Sequence, residues 1–201
     1  YSCNFVNVPS NTTVFKPYKI INYDDVQVAY VGVTTPESFT KSTPAYFQDA
    51  QGRYIYGFSE DPTGETLYSQ VQASVDAARA EGADYVVLVA HLGMDGVTER
   101  WSSRSVVANT TGIDVVIDGH SHQVYTETLP NENGQMIPVA QTGTKFANIG
   151  KITITPSGEI TTELLNNLTM EDGTPAADAD MDALISSIES QYAESLQTVL
   201  G

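Results

Sequence analysis

The chain has 201 residues, is 41% hydrophobic and carries a formal net charge of −16 at pH 7. This length and hydrophobic content suffice for one buried core, while the acidity disfavours attraction to nucleic acid or anionic lipid, so no nucleic-acid partner is expected. The single cysteine excludes an intrachain disulfide, and no apolar run approaches the ~18 residues of a membrane span.

The first half of the chain predicts a strand, a long connection and a helix. The stretch "VQVAYVGVT" at 26–34 is rich in β-branched residues, as strands are. Residues 34–64 are polar and aromatic with several prolines and glycines, and connections of that length are often functional. Apolar residues then recur at helical spacing from Leu67 to Ala78, and Gly82 suits the end of the helix.

Two apolar runs follow, separated by a shorter helical segment. The run "YVVLVA" at 85–90 predicts a strand that is covered on both faces. Val106 and Val107 lie in a predicted short helix that closes near Gly112, and "DVVI" at 114–117 predicts the next buried strand. The alternation of strands and helices indicates parallel pairing in this region.

The last third of the chain changes character. Residues 136–144 and 148–170 alternate in the manner of antiparallel strands, and "PSGE" at 156–159 supplies a hairpin turn. A linker by composition spans 169–180, and an amphipathic helix is predicted at about 178–200. The order of elements therefore predicts an α/β fold, a mixed parallel sheet extended by antiparallel strands.

The chain's three histidines all follow predicted buried strands. His91 comes directly after 85–90, and His120 and His122 come after 114–117. Because the carboxyl ends of neighbouring parallel strands meet at one edge of a sheet, we expect the three imidazoles to lie together there. If the second strand continued, His120 and His122 would also share a face, since side chains two residues apart in a strand point the same way.

Histidines grouped in this way favour a metal site over the alternatives. Neutral imidazole is a common ligand of zinc, manganese and iron, and paired ions would give this acidic chain the positive charge that a phosphate ester needs. A lone histidine after a strand is usually a hydrogen-bonded loop residue, but three at corresponding strand ends favour ligands. A serine hydrolase is a rival, yet "GHSHQ" is not a G-x-S-x-G elbow. Cys3 lies in a terminal segment without a local partner, which disfavours a cysteine nucleophile.

The stretches "VVLVAHLGMDG" and "TGIDVVIDGHSH" resemble the last two metal-ligand blocks of the calcineurin-like metallophosphoesterases. Within that family they resemble the bacterial 5'-nucleotidase and 2',3'-cyclic-nucleotide 2'-phosphodiesterase branch, and the resemblance covers most of residues 1–165. It implies an α/β/β/α sandwich and two divalent ions, with His91 and His120 on one ion and His122 on the other. It also implies a secreted, periplasmic or cell-surface hydrolase that acts on extracellular nucleotides or another phosphate ester.

The family's early D-x-H, G-D and G-N-H-[DE] motifs do not occur upstream of these two blocks, and in the family they precede the segment that corresponds to Tyr1. The resemblance therefore implies a sandwich truncated at its N-terminus. Residues 1–170 would form a partial metallophosphoesterase domain, and residues 171–201 would lead towards a C-terminal nucleotide-binding domain. The catalytic residues would lie upstream of Tyr1, so no catalytic residue is assigned in this chain.

Several expectations follow from the missing motifs. The chain alone should hold at most one weakly bound ion, should be inactive, and should self-associate through the surface left by truncation. Two other functions stay open: a non-catalytic binding or structural module on the same scaffold, and a metal-dependent hydrolase of a different phosphate ester.

Overall fold

The computed structural model describes residues 1–166 and 177–197, with the side chains of 194–197 left aside. The chain divides into two compact units, Tyr1–Leu165 and Asn166–Gly201. The boundary predicted between residues 170 and 171 lies outside the described residues.

The first unit is a mixed α/β structure, as predicted. Its elements are β1 Phe5–Asn7, β2 Thr12–Thr13, β3 Tyr18–Tyr23, β4 Val26–Thr34, α1 Ser38–Lys41, β5 Tyr56–Phe58, α2 Glu65–Ala80, β6 Tyr85–His91, α3 Ser103–Ala108, β7 Val115–Asp118, β8 Val124–Pro130, β9 Met136–Thr142, β10 Ile149–Ile154 and β11 Ile160–Leu165, with short 3-10 helices at Pro44–Phe47 and Glu99–Trp101.

A six-stranded sheet forms the centre of this unit, in the order β3-β4-β6-β7-β9-β8. Strands β4, β6, β7 and β9 run parallel to their neighbours in that order. The two outer strands, β3 and β8, pair antiparallel with β4 and β9. Strands β6 and β7 are thus adjacent and parallel, and their carboxyl ends lie at the same edge of the sheet.

One face of the sheet carries the main core. Leu67, Val71 and Val75 of α2 have no solvent exposure and belong to the same buried cluster as Val86 and Leu88 of β6. These helix residues recur at the spacing of a single helix face, which is why the sequence pattern located α2 correctly. Burial of such side chains stabilises the fold by about 1.5–3 kcal/mol each, so the α2 stripe fixes the helix against the sheet.

The start of α2 is held by a carboxylate. Asp61 accepts hydrogen bonds from the backbone N–H groups of Thr63, Gly64 and Thr66. Hydrogen bonds from Thr63 and then Thr66 lower the pKa of Asp61. The anionic side chain therefore satisfies N–H groups that would otherwise lack partners at the start of the helix.

The opposite face of the sheet is covered less completely. Val87 and Val115 are buried there, and Ile152 and Ile160 of the β10–β11 hairpin pack against them. Towards the carboxyl end of the same face, Val89 is 42% exposed and its neighbour Ile117 is 39% exposed. The prediction that 85–90 is covered on both faces is therefore wrong at Val89, where the hairpin does not reach.

Most predicted elements of the first unit are confirmed. The strand at 26–34 has the predicted bounds, and the turn at 156–159 joins β10 to β11. The stretch 136–144 was predicted to pair antiparallel with its neighbours. It forms strand β9, which pairs antiparallel with β8 but parallel with β7. The alternation of its residues reflects the unequal burial of the two faces of β9. Sequence periodicity reveals this burial but does not reveal the direction of the strand.

The second unit, taken by itself, contains helix α4, Ala179–Gln197. Its apolar side chains from Met181 to Tyr192 recur at helical spacing, as predicted, and are between 46% and 57% exposed. Among the described residues, none of the helices combines the length and hydrophobicity needed to cross a lipid bilayer.

Candidate metal site

Two of the predicted ligands lie in direct contact at the carboxyl edge of the sheet. His91 is the last residue of β6, and His120 follows β7 by two residues. The Nε2 atom of His91 and the Nδ1 atom of His120 are 3.2 Å apart, and the ring centroids are 4.9 Å apart. Parallel pairing of β6 with β7 is what brings these positions together from separate parts of the chain.

The third predicted ligand, His122, lines the same cleft as His91 and His120. Ser38, Lys41 and Ser42 line the rest of this cleft, which has a volume of about 600 Å³. Within residues 1–166 and 177–197, no group of three or more histidine, cysteine, aspartate or glutamate side chains is arranged to hold one ion. The structure therefore pairs two of the predicted ligands and places the third at the wall of their cleft.

The backbone around the histidines is unusual. His120 has φ 77° and His122 has φ 59°, in the left-handed region that non-glycine residues rarely adopt. The expectation that these residues continue a strand is wrong, because β7 ends at Asp118 and the chain turns sharply, but both side chains line the same cleft. Strained backbone of this kind is frequent at functional sites, where surrounding contacts hold it in place.

The glycines beside the histidines differ in role. Gly93 and Gly96 have φ values of 78° and 71°, as their predicted turns require. At Gly93 an added Cβ would lie 2.9 Å from Cβ of Ser121, so space also restricts this position. Gly119 keeps an ordinary φ, and an added Cβ there would lie 3.3 Å from Nδ1 of His91. Gly119 therefore permits the His91 ring to approach the backbone.

A buried carboxylate ties the two histidine-bearing loops together. Asp118 accepts hydrogen bonds from the N–H groups of Leu92, Gly93 and Gly119, at 3.2, 3.0 and 2.7 Å. The hydroxyls of Ser103 and Tyr125 donate to it at 2.6 and 2.7 Å. The residues that directly follow His91 and precede His120 are thus fixed to one side chain.

A second carboxylate, on the long connection between β4 and β5, contacts His120 directly. Glu37 lies next to α1, and its Oε2 atom is 2.9 Å from Nε2 of His120. Burial alone would raise the pKa of Glu37, but hydrogen bonds from Thr98 and His120, together with Lys41, lower it to about 2. Glu37 is therefore anionic at neutral pH.

The electrostatics of His91 favour the neutral imidazole. Partial removal from solvent lowers the pKa of His91, and the neighbouring imidazole of His120 lowers it further. A neutral ring at pH 7 offers a nitrogen lone pair, which is the form that binds a metal ion.

No protein-family model matches the chain. The 5'-nucleotidase of Diplobatis ommata is 25% identical over 127 residues, which are 63% of this chain and 18% of that protein. The chain thus spans less than a fifth of the length of this curated relative.

Three solved structures share the fold. The sulfate thiohydrolase SoxB of Thermus thermophilus gives a TM-score of 0.72 at 19% identity, over 96% of this chain and 32% of that one. The NAD nucleotidase NadN of Haemophilus influenzae gives 0.70 at 17% identity, over 100% and 46%. A putative 5'-nucleotidase of Staphylococcus aureus, in complex with alpha-ketoglutarate, gives 0.56 at 18% identity, over 94% and 36%.

The chain has the calcineurin-like metallophosphoesterase fold. The resemblance predicted from the sequence and the mixed α/β class are both confirmed. The described unit corresponds to a part of that fold, since the chain spans between 32% and 46% of the three neighbouring structures.

The pair His91 and His120 fits a divalent ion of the kind that this fold implies. Two imidazole nitrogens bound to one tetrahedral zinc ion at about 2.0–2.1 Å lie about 3.3 Å apart. The observed separation between His91 and His120 is 3.2 Å. Neutral imidazole donors suit zinc and manganese alike, so the donor set does not select between these metals.

Sequence reasoning missed the residues that support the histidines. Asp118 lies inside the stretch "TGIDVVIDGHSH", but the motif predicts no role for it, and Glu37 lies 83 positions from His120 along the chain. The length of the 34–64 connection was a signal that it is specialised, but it does not single out Glu37. Cys3 is buried, which raises the pKa of its thiol to about 12, so a role as nucleophile is disfavoured.

Proposed function

We propose that this chain forms part of the metal centre of a phosphohydrolase that removes phosphate from nucleotides. The observation that carries the proposal is the contact between His91 and His120 at the carboxyl ends of adjacent parallel strands, within a metallophosphoesterase fold. Nucleotides are favoured as substrates because the curated relative is named a 5'-nucleotidase and NadN a NAD nucleotidase.

The histidines, Lys41 and Asp118 each have a role in this proposal. His91 and His120 would hold one divalent ion, and His122 would contribute to a second. Divalent ions at such a centre supply positive charge to the phosphate and activate water for attack. Lys41 lines the cleft and adds a cation in a chain of net charge −16. Asp118 holds the backbone on either side of the histidines in position.

A second candidate substrate class has its own support. SoxB, which is named a sulfate thiohydrolase, superposes on this chain with a TM-score of 0.72. The same fold therefore occurs in a hydrolase whose name specifies sulfate rather than a nucleotide. This alternative keeps the proposed metal site and the hydrolytic reaction, and changes only the substrate that is cleaved.

We further propose that the 201-residue chain is inactive on its own. A two-ion centre needs more ligands than three imidazoles, because each ion requires several donors and the ions lie only about 3.5–4 Å apart. His91, His120 and His122 are the donors that this chain brings to the cleft. They would hold at most one ion weakly, and bound ion without the full centre should give no turnover.

The test compares the 201-residue chain with the full-length protein that its gene encodes. Both are assayed with Mn²⁺ or Zn²⁺ on AMP, on bis-p-nitrophenyl phosphate and on a thiosulfonate ester. The proposal expects hydrolysis of AMP by the full-length protein and none by the chain alone. Absence of turnover in the full-length protein would reject the enzymatic function, and equal activity of the short chain would reject its inactivity.

A variant locates the activity in the cleft. His120→Ala in the full-length protein should abolish turnover, because it removes a nitrogen from the contact with His91. Thr126→Ala, at an exposed position of β8, serves as the control and should keep wild-type activity. Full activity in His120→Ala would mean that the site is elsewhere.

We also propose that the protein is located outside the cytoplasm, and cell fractionation tests this location.

A further inference from the structure

The Glu37 carboxylate is surrounded by hydrogen-bond donors. Its Oε1 atom accepts from the backbone N–H and the hydroxyl of Thr98, each at 2.6 Å. Its Oε2 atom lies 2.9 Å from Nε2 of His120 and 3.1 Å from Nζ of Lys41. A carboxylate engaged in this way acts only as an acceptor. The proton between Glu37 and His120 therefore resides on Nε2 of the imidazole.

This proton position determines which nitrogen His120 offers to a ligand. A neutral imidazole with a proton on Nε2 has its lone pair on Nδ1. In the structure Nδ1 of His120 is the atom that faces Nε2 of His91, 3.2 Å away. In the neutral ring the lone pair thus lies on the side where the second histidine and the cleft are.

We propose that Glu37 is a positioning residue that fixes the tautomer and ring orientation of His120, so that Nδ1 is available to a divalent cation. The inference rests on the proposed function of the cleft, and it identifies a residue 83 positions away from the histidine it controls. Histidines that bind metals commonly donate their second N–H to a carboxylate, and loss of that partner lowers metal affinity about 10–100-fold.

Glu37 is itself held from two sides. The two hydrogen bonds from Thr98 attach it to the loop that follows β6. On the other side, Phe39 of α1 stacks on Phe47 with ring centroids 5.2 Å apart and contacts Tyr54 at 4.8 Å. The aromatic contacts anchor α1 beside the carboxylate, so the side chain meets His120 with little freedom to move away.

The substitution Glu37→Gln gives a specific expectation. The backbone N–H of Thr98 can only donate, so the oxygen of the new amide should face it and the NH₂ group should face His120. The ammonium group of Lys41, which also contacts Oε2 in the wild type, belongs to a side chain that is 59% exposed and can turn to water. An NH₂ group can only donate, so Nε2 of His120 must accept and the proton must move to Nδ1. The side chain keeps its shape while the tautomer is reversed, which separates positioning from packing.

The tautomer is measured directly in the 201-residue chain without metal. In long-range ¹H–¹⁵N spectra of ¹⁵N-labelled protein, His120 should carry its proton on Nε2 in the wild type and on Nδ1 in Glu37→Gln. Titration calorimetry with Zn²⁺ should show an affinity about 10–100-fold lower in the variant. Glu159→Gln, the same change at an exposed glutamate in the turn between β10 and β11, is the control and should leave both readouts unchanged.

The outcomes separate the inference from the proposed function. A proton on Nδ1 of His120 in the wild type, or equal Zn²⁺ affinity in wild type and Glu37→Gln, would overturn the positioning role. If the variant fails to fold by circular dichroism, the wild-type tautomer alone decides between support and rejection. Zn²⁺ that does not bind to the wild type, combined with the expected tautomer, would support control by Glu37 while rejecting ion binding by His91 and His120 without further ligands.

Discussion

Replacement of Asp118 tests the idea that one buried carboxylate holds the histidine loops. The side chain is 7% exposed and accepts five hydrogen bonds, three of them from backbone N–H groups through Oδ1. Asp118→Ala would leave those three N–H groups without their partner, at a cost of about 1–3 kcal/mol for each group that stays unsatisfied. Because water would enter and satisfy some of them, we expect a total loss of about 3–5 kcal/mol.

Asp118→Asn should be milder, for a reason visible in the geometry. An asparagine oxygen at the Oδ1 position keeps the three N–H donors, and its NH₂ group faces the hydroxyls of Ser103 and Tyr125. These hydroxyls can rotate to accept, so the main loss is that of charge, about 1–3 kcal/mol. The expected order of stability is therefore wild type, then Asp118→Asn, then Asp118→Ala.

Urea denaturation followed by circular dichroism gives the free energy of unfolding by linear extrapolation. Asp25→Asn, at an exposed position, serves as the control and should stay within about 0.5 kcal/mol of the wild type. Zn²⁺ affinity should fall in parallel, because Asp118 fixes the backbone directly after His91 and before His120. An Asp118→Ala variant within about 1 kcal/mol of the wild type would refute the role assigned to this carboxylate.

Three further predictions concern the first unit. Gly93→Ala should destabilise the fold by about 1–2 kcal/mol more than Gly96→Ala, because both have positive φ but only a Cβ at Gly93 meets neighbouring atoms; equal denaturation midpoints would contradict this. The pKa of Asp61 is lowered by folding, so its stabilisation should be full above its ordinary pKa near 3.8 and lost as pH falls below it. The difference in unfolding free energy between wild type and Asp61→Asn should accordingly shrink between pH 5 and pH 2, and a constant difference would exclude the mechanism. Self-association of the chain is tested by light scattering in dilute solution: Ile117→Glu, on the partly exposed sheet face, should reduce any dimer, whereas a monomeric wild type would reject self-association.

The elements that position the site were largely predictable. The apolar stripe from Leu67 to Ala78 and the apolar runs of β6 and β7 report burial directly, because helix and strand periodicities are local properties of the sequence. Strand β8 was not predicted, because its seven residues show little alternation of burial and only Leu129 among them is buried. Local sequence patterns also could not predict the direction of β9, because the pairing of a strand depends on how the whole sheet assembles.

By itself, the sequence determined that three histidines follow buried strands and that their flanking motifs resemble a metallophosphoesterase. Only the tertiary structure decided that His91 and His120 touch, and that they do so through Nε2 and Nδ1. It also decided that Glu37 lies behind His120 and that Asp118 joins both loops. The physical reason is that strand composition is encoded locally, whereas a contact between residues 83 positions apart depends on how the whole chain packs.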